Sequence, residues 1–107
     1  MANADLVPVP LLKQMVSVLN PRRIILFGSR ARGEAHQDSD YDLVAVLDDE
    51  APDEMLSSRR SYEARRGIGL PIDILPCRES MLRARARAVG SFAHTVMTEG
   101  VVVYERP

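Results

Sequence analysis

Apolar and polar positions change period several times along this chain, and each change marks an element. From Leu11 the apolar residues Leu11, Leu12, Met15, Val16 and Leu19 recur at helical spacing, and Pro21 ends the pattern. Upstream, Asp5 to Pro10 is a poor helix former because Pro8 and Pro10 interrupt it. Arg22 to Phe27 reads as a short strand buried on both faces, since Ile24, Ile25, Leu26 and Phe27 form one continuous apolar run. Gly28-Ser29 is a turn signal. Ser29 is placed to cap a short helical turn over Arg30, Ala31 and Arg32 that Gly33 stops. Glu34 to Ser39 is polar loop, Asp42 to Leu47 is the next strand, and Asp48-Asp49-Glu50 is its solvated exit.

A second helix is predicted from about Asp53 to Arg66, with acidic residues first and arginines last, the arrangement a helix dipole favours. Gly67 and Gly69 close it. Leu70 to Leu75 is a third strand, and Pro71 and Pro76 make it short or place it near a sheet edge. From Glu79 a long helical pattern follows, which Gly90-Ser91 splits, with Ser91 capping the second half. Gly100 ends that half, and Val101 to Tyr104 is the last strand. This order predicts an α/β domain, a small mixed β-sheet flanked by helices, in one domain over residues 1–107.

Composition narrows the functional classes. The net charge of −1 gives no global attraction to nucleic acid, so direct binding to it is not expected. No apolar run reaches the roughly 18 residues of a membrane span, and Met1 to Leu12 lacks the basic end of a signal peptide. The single cysteine, Cys77, excludes an internal disulfide and fits a reducing compartment, so a cytoplasmic location is expected. Cys77 has no nearby base and there is no histidine–cysteine cluster, which leaves little room for thiol or zinc chemistry. Among the basic residues only Lys13 is lysine; arginine's rigid donor fork suits phosphates and carboxylates.

The chemistry lies in Ile24 to Leu47 and in Asp73. Alternate strand residues share a face, so Asp40 and Asp42 present carboxylates side by side if the extended backbone starts by Asp40. Like charges that close require a cation, and oxygen-only ligands select a hard ion, Mg²⁺ or alternatively Mn²⁺. Asp73 stands in the apolar run Leu70 to Leu75, where a charge needs a metal or an arginine. Gly28 lets the backbone close around a phosphate, to which the N–H groups and hydroxyl at Ser29 and Arg30 can donate, with Arg32 in reach. The fragment is neither a Walker A motif nor a Rossmann fingerprint.

The run Gly28 to Ala35 followed by Asp38-Ser39-Asp40-Tyr41-Asp42-Leu43 resembles the signature of the minimal nucleotidyltransferase (MNT) family of the DNA polymerase beta-like superfamily. The likeness extends over nearly the whole chain. It implies a nucleotidyltransferase fold like the polymerase beta palm. Gly28 and Ser29 become the phosphate-binding pair, Asp40 and Asp42 the metal-ligand pair, and Asp73 the third carboxylate. It further implies transfer of a nucleoside monophosphate, AMP from ATP, to a hydroxyl. Many members are antitoxins encoded beside an all-helical HEPN-type toxin, and some silence it by attaching AMP to one of its tyrosines, which makes such a toxin the expected partner. Two other readings stand beside it: an antitoxin that neutralises by binding alone, and nucleotidyl transfer to a small molecule such as an aminoglycoside. A homo-oligomer is left open.

Overall fold

The computed structural model describes residues 6–107. Asp5, which the sequence reading groups with the proline-rich start, lies outside them. Helix α1 (Val9–Leu19) begins before Leu11, because Pro10 falls in its first turn where no amide donor is needed. Asn20 closes it in the left-handed conformation, its N–H donating to the Val16 carbonyl at 3.0 Å, just ahead of Pro21. Strands β1 (Arg23–Phe27) and β2 (Tyr41–Leu47) follow, joined by the Gly28 turn and a loop.

The segment expected to be one helix from Asp53 to Arg66 is two elements. A 3-10 turn over Asp53–Leu56 breaks at Ser57, which is extended and whose hydroxyl accepts from the Arg60 N–H to start helix α2 (Ser58–Arg65). A serine side chain that competes for backbone donors favours a cap over a helix interior, and Ser57 acts as one. Strand β3 (Ile72–Arg78) starts after Pro71 and runs through Pro76. It lies at the sheet edge, where a missing amide donor is tolerated. Helices α3 (Glu79–Ala86) and α4 (Phe92–Glu99) are separate, and the Ser91 hydroxyl caps α4 by accepting from the His94 N–H at 3.0 Å. Strand β4 (Val101–Glu105) completes the fold.

The four strands form one mixed sheet in the order β3-β2-β1-β4. β1 pairs antiparallel with β2 and β4, and β2 pairs parallel with β3. Alternation along β1 and β2 divides the core between two faces. Ile24, Leu26, Leu43, Ala45 and Leu47 pack with α1 and with Ala64 of α2. Ile25, Val44 and Val46 pack with Leu82 of α3 and with Ala93 and Val96 of α4. This explains the continuous apolar runs: both faces of the central strands are covered. Gly100 joins α4 to β4 where a Cβ would stand 2.5 Å from the Ile25 Cγ2 and against the Val96 carbonyl, so the closure needs glycine.

Polar side chains fasten the periphery. Gln14 of α1 donates to the Glu63 and Arg66 carbonyls at 2.8 Å each, satisfying the end of α2. The residues expected to be a solvated acidic exit from β2 are partly engaged. Asp48 accepts from Arg22 and Arg106, and Asp49 accepts from the Ser80 N–H at the start of α3. Among the described residues no helix is long and apolar enough to cross a membrane.

Candidate active site

The site lies at the end of the sheet where β1 stops and β2 and β3 begin. Asp42 is the register partner of Phe27 on one side and of Asp73 on the other, so Asp42 and Asp73 sit side by side on adjacent strands. By alternation they share the face that carries Val44 and Leu75. Asp42 is half-buried, whereas Asp40 and Asp73 are exposed. Burial pushes the Asp42 carboxyl above its ordinary range, and the charges of Asp40 and Asp73 push it further in the same direction. Two like charges thus act on one half-buried carboxyl, and no arginine offsets them.

β2 starts at Tyr41, so Asp40 belongs to the loop, although its charge still reaches Asp42. The Tyr41 N–H donates to the Pro71 carbonyl at 2.9 Å, tying the starts of β2 and β3 together. Among the described residues no three acidic, histidine or cysteine side chains close into a preformed metal cage. What the fold brings together is an adjacent Asp42–Asp73 pair with Asp40 beside it.

Gly28 turns the chain directly against this pair. Its φ of +77° is left-handed, and a Cβ there would come within 2.5 Å of the Asp42 Oδ2. The expected Ser29-capped helical turn is instead a turn closed on the Gly28 carbonyl, which accepts from the N–H groups of Ala31 and Arg32 at 3.1 and 3.2 Å. The Glu34 N–H donates to the Ser29 carbonyl at 3.0 Å, and Gly33 is left-handed. The N–H groups of Ser29 and Arg30 donate to no backbone carbonyl among the described residues. Two adjacent free donors on a tight turn form a concavity suited to an anion.

The two arginines expected near the anion are otherwise engaged. Arg30 donates to the Ser39 carbonyl from Nε and Nη2 at 3.0 and 2.9 Å, and its guanidinium lies 3.9 Å from the centre of the Tyr41 ring. It therefore holds the loop that carries Asp40. Arg32 pairs with Glu34 at 2.7 Å on the surface; that hydrogen bond, with the Glu34 and Glu99 charges, raises its pKa. The Tyr41 contribution was missed in the sequence. The available signal was its place next to Asp42 at the start of a strand, which turns its ring to the opposite face from Asp42.

Similarity to known proteins agrees with this geometry. The model of the nucleotidyltransferase domain family matches residues 10–91. No curated protein matches the chain with significance. A solved structure described as a toxin–antitoxin with AMP-PNP is 20% identical, covering 88% of this chain and 73% of that one, with a TM-score of 0.55. Another, a toxin–antitoxin MntA-HpeT mutant with two aspartate-to-glutamate changes two positions apart, is 15% identical with a TM-score of 0.59. It covers 90% of this chain and 71% of that one. At these identities the structural likeness shows the fold, and the family match shows the membership: the chain belongs to the nucleotidyltransferase domain family and is a nucleotidyltransferase.

Proposed function

We propose that this nucleotidyltransferase moves a nucleoside monophosphate, AMP from ATP, to a tyrosine hydroxyl of an HEPN-type helical toxin and so acts as its antitoxin. The observation that carries the reading is the repulsive Asp42–Asp73 pair, with Asp40 beside it, against the Gly28–Ser29 turn. A half-buried carboxylate made harder to ionise by two others is a site short of positive charge. Its donors are all oxygens, which fits Mg²⁺, with Mn²⁺ as an alternative. Asp40, Asp42 and Asp73 would hold the ion. When bound, it screens phosphate charge and lowers the pKa of an attacking hydroxyl.

The chain's own groups supply the rest. Gly28 leaves room for the phosphates beside Asp42, and the Ser29 and Arg30 N–H groups with the Ser29 hydroxyl donate to their oxygens. Arg30 acts by fixing the Asp40 loop, and Arg32 stands at the rim. In the transfer the tyrosine oxygen bonds to the α-phosphorus, its proton is lost, and the bond to pyrophosphate breaks. The toxin–antitoxin character of both structural neighbours supports a toxin as the acceptor. One neighbour's paired aspartate changes have the spacing of Asp40 and Asp42. A cytoplasmic location follows from the same reading.

Thermal melts test the site. Mg²⁺ and ATP together should raise Tm more than either alone, since phosphate oxygens complete the ion's shell. Asp42→Asn should abolish that coupling, and an unchanged response in the variant would refute the assignment.

A further inference from the structure

The sheet face that bears Asp42 and Asp73 continues inward as Val44 and Leu75, then as Val46 and Cys77. Helices α3 and α4 do not close over it completely. Between them lies a cavity of about 350 Å³, floored by Val44, Leu75 and Cys77 and walled by Met81, Leu82 and Phe92. Leu75, Met81 and Phe92 are 46%, 48% and 52% exposed, a costly arrangement for large apolar side chains that have no use. The volume is that of a small-molecule pocket, and the lining is apolar with Arg85 at its lip.

Its position relative to the carboxylates is defined by the strands. Val44 and Leu75 each lie two residues beyond an aspartate, about 6.6 Å along the strand. Phe92 meets Phe27 edge to face at 5.3 Å between ring centroids, and Phe27 is the register partner of Asp42. The aromatic wall of the cavity is therefore anchored beside the carboxylate pair.

We infer that this cavity receives the base of the donor nucleotide. The inference rests on the nucleotide reading of the carboxylate site and adds to it a base-binding surface centred on Phe92. A nucleotide has a charged end and a planar, apolar-faced end separated by a ribose. With the phosphates at Gly28–Ser29 and Asp42–Asp73, the apolar floor lies about one ribose away along the same sheet face. Phe92 offers the base a ring contact, Val44 and Leu75 offer apolar surface, and the planar Arg85 guanidinium can stack at the lip.

The chain contains no tryptophan, so Phe92→Trp places a unique, selectively excitable indole on the cavity wall. In Mg²⁺, ATP should change its emission saturably. Inorganic tripolyphosphate should compete with ATP yet leave the emission unchanged. Phe92→Ala, at a half-exposed position, should weaken ATP about tenfold, within what loss of one stacking contact gives, and spare tripolyphosphate. ATP that raises Tm without altering the emission, or equal ATP affinity in Phe92→Ala, would overturn the inference and leave the phosphate site standing. Failure of both ATP and tripolyphosphate to bind the unaltered chain would overturn the nucleotide reading and the inference with it.

Discussion

Gly28 and Asp42 are in mutual contact: a Cβ at Gly28 would stand 2.5 Å from the Asp42 Oδ2. Position 28 is also left-handed, so an alanine there incurs backbone strain as well as a collision with the carboxylate. Gly28→Ala should destabilise the fold by about 1–2 kcal/mol. It should also eliminate the joint effect of Mg²⁺ and ATP on Tm where the variant is still folded. Urea titration with and without Mg-ATP checks both, and a variant with unchanged nucleotide response would show that the turn does not border the phosphates.

Asp42 should cost stability in the metal-free chain. Its folded pKa is raised by burial and by Asp40 and Asp73. Its contribution is therefore fully favourable below its unfolded pKa and is lost as pH rises through the folded value. At neutral pH, Asp42→Asn should stabilise the metal-free protein by about 0.5–1 kcal/mol, the low end for relief of a functional site. The gain should shrink on acidification. Melts of both forms in chelator at pH 4 and pH 7 measure it; a destabilised variant at pH 7 would contradict the repulsion.

The order of elements, the Gly28 turn and the place of Asp42 at the start of a strand were legible because they depend on local chemistry and apolar pattern. Strand parity alone set Asp42 beside Asp40, but β2 starts at Tyr41 and leaves Asp40 in the loop; the strand neighbour of Asp42 is Asp73, because β3 pairs parallel with β2, which is a tertiary fact. The break at Ser57 was hidden because the acid-first, arginine-last charge pattern of Asp53 to Arg66 suits a continuous helix equally well. Pro76 inside β3 was hidden because tolerance of a proline depends on the sheet order, which is a tertiary fact. Arg30 was assigned toward an anion because arginine so often binds one; its partners here are loop carbonyls and the Tyr41 ring, which no spacing rule reveals.

Arg30 and Arg32 should separate in their effects. Arg30→Ala releases the loop that carries Asp40 and should weaken Mg-ATP binding several-fold while the chain stays folded. Arg32→Ala removes only an exposed pair with Glu34 and should change stability by less than about 1 kcal/mol. Titration of Mg-ATP into each variant checks this. Equal nucleotide affinity in Arg30→Ala and the unaltered chain would remove the positioning role.

On the far end of the sheet, Arg23 Nη2 donates to both Glu79 oxygens at 2.8 Å, with side chains only 20% and 13% exposed. Burial opposes ionisation of Glu79, but hydrogen bonds from Arg23 and Arg83 prevail and lower its pKa. The stabilisation is therefore present above the unfolded pKa of Glu79 and is lost as pH falls through the folded value. Glu79→Gln should cost about 1–3 kcal/mol at pH 7, since it leaves the Arg23 charge without its counter-ion. The difference should narrow in acid. Urea midpoints at pH 7 and pH 3 test it, and a pH-independent difference would contradict it.

The central claim is that this chain transfers AMP to a partner protein. Intact-mass spectrometry of a candidate HEPN-type toxin, co-expressed and co-purified with this chain, tests that claim most directly. The partner should gain about 329 Da per event, the mass of ATP less pyrophosphate added covalently. The gain should require Mg²⁺ and should vanish with Asp40→Asn or Asp73→Asn. A partner that stays unmodified yet is fully silenced by the Asp40→Asn chain would contradict transfer and establish neutralisation by binding instead.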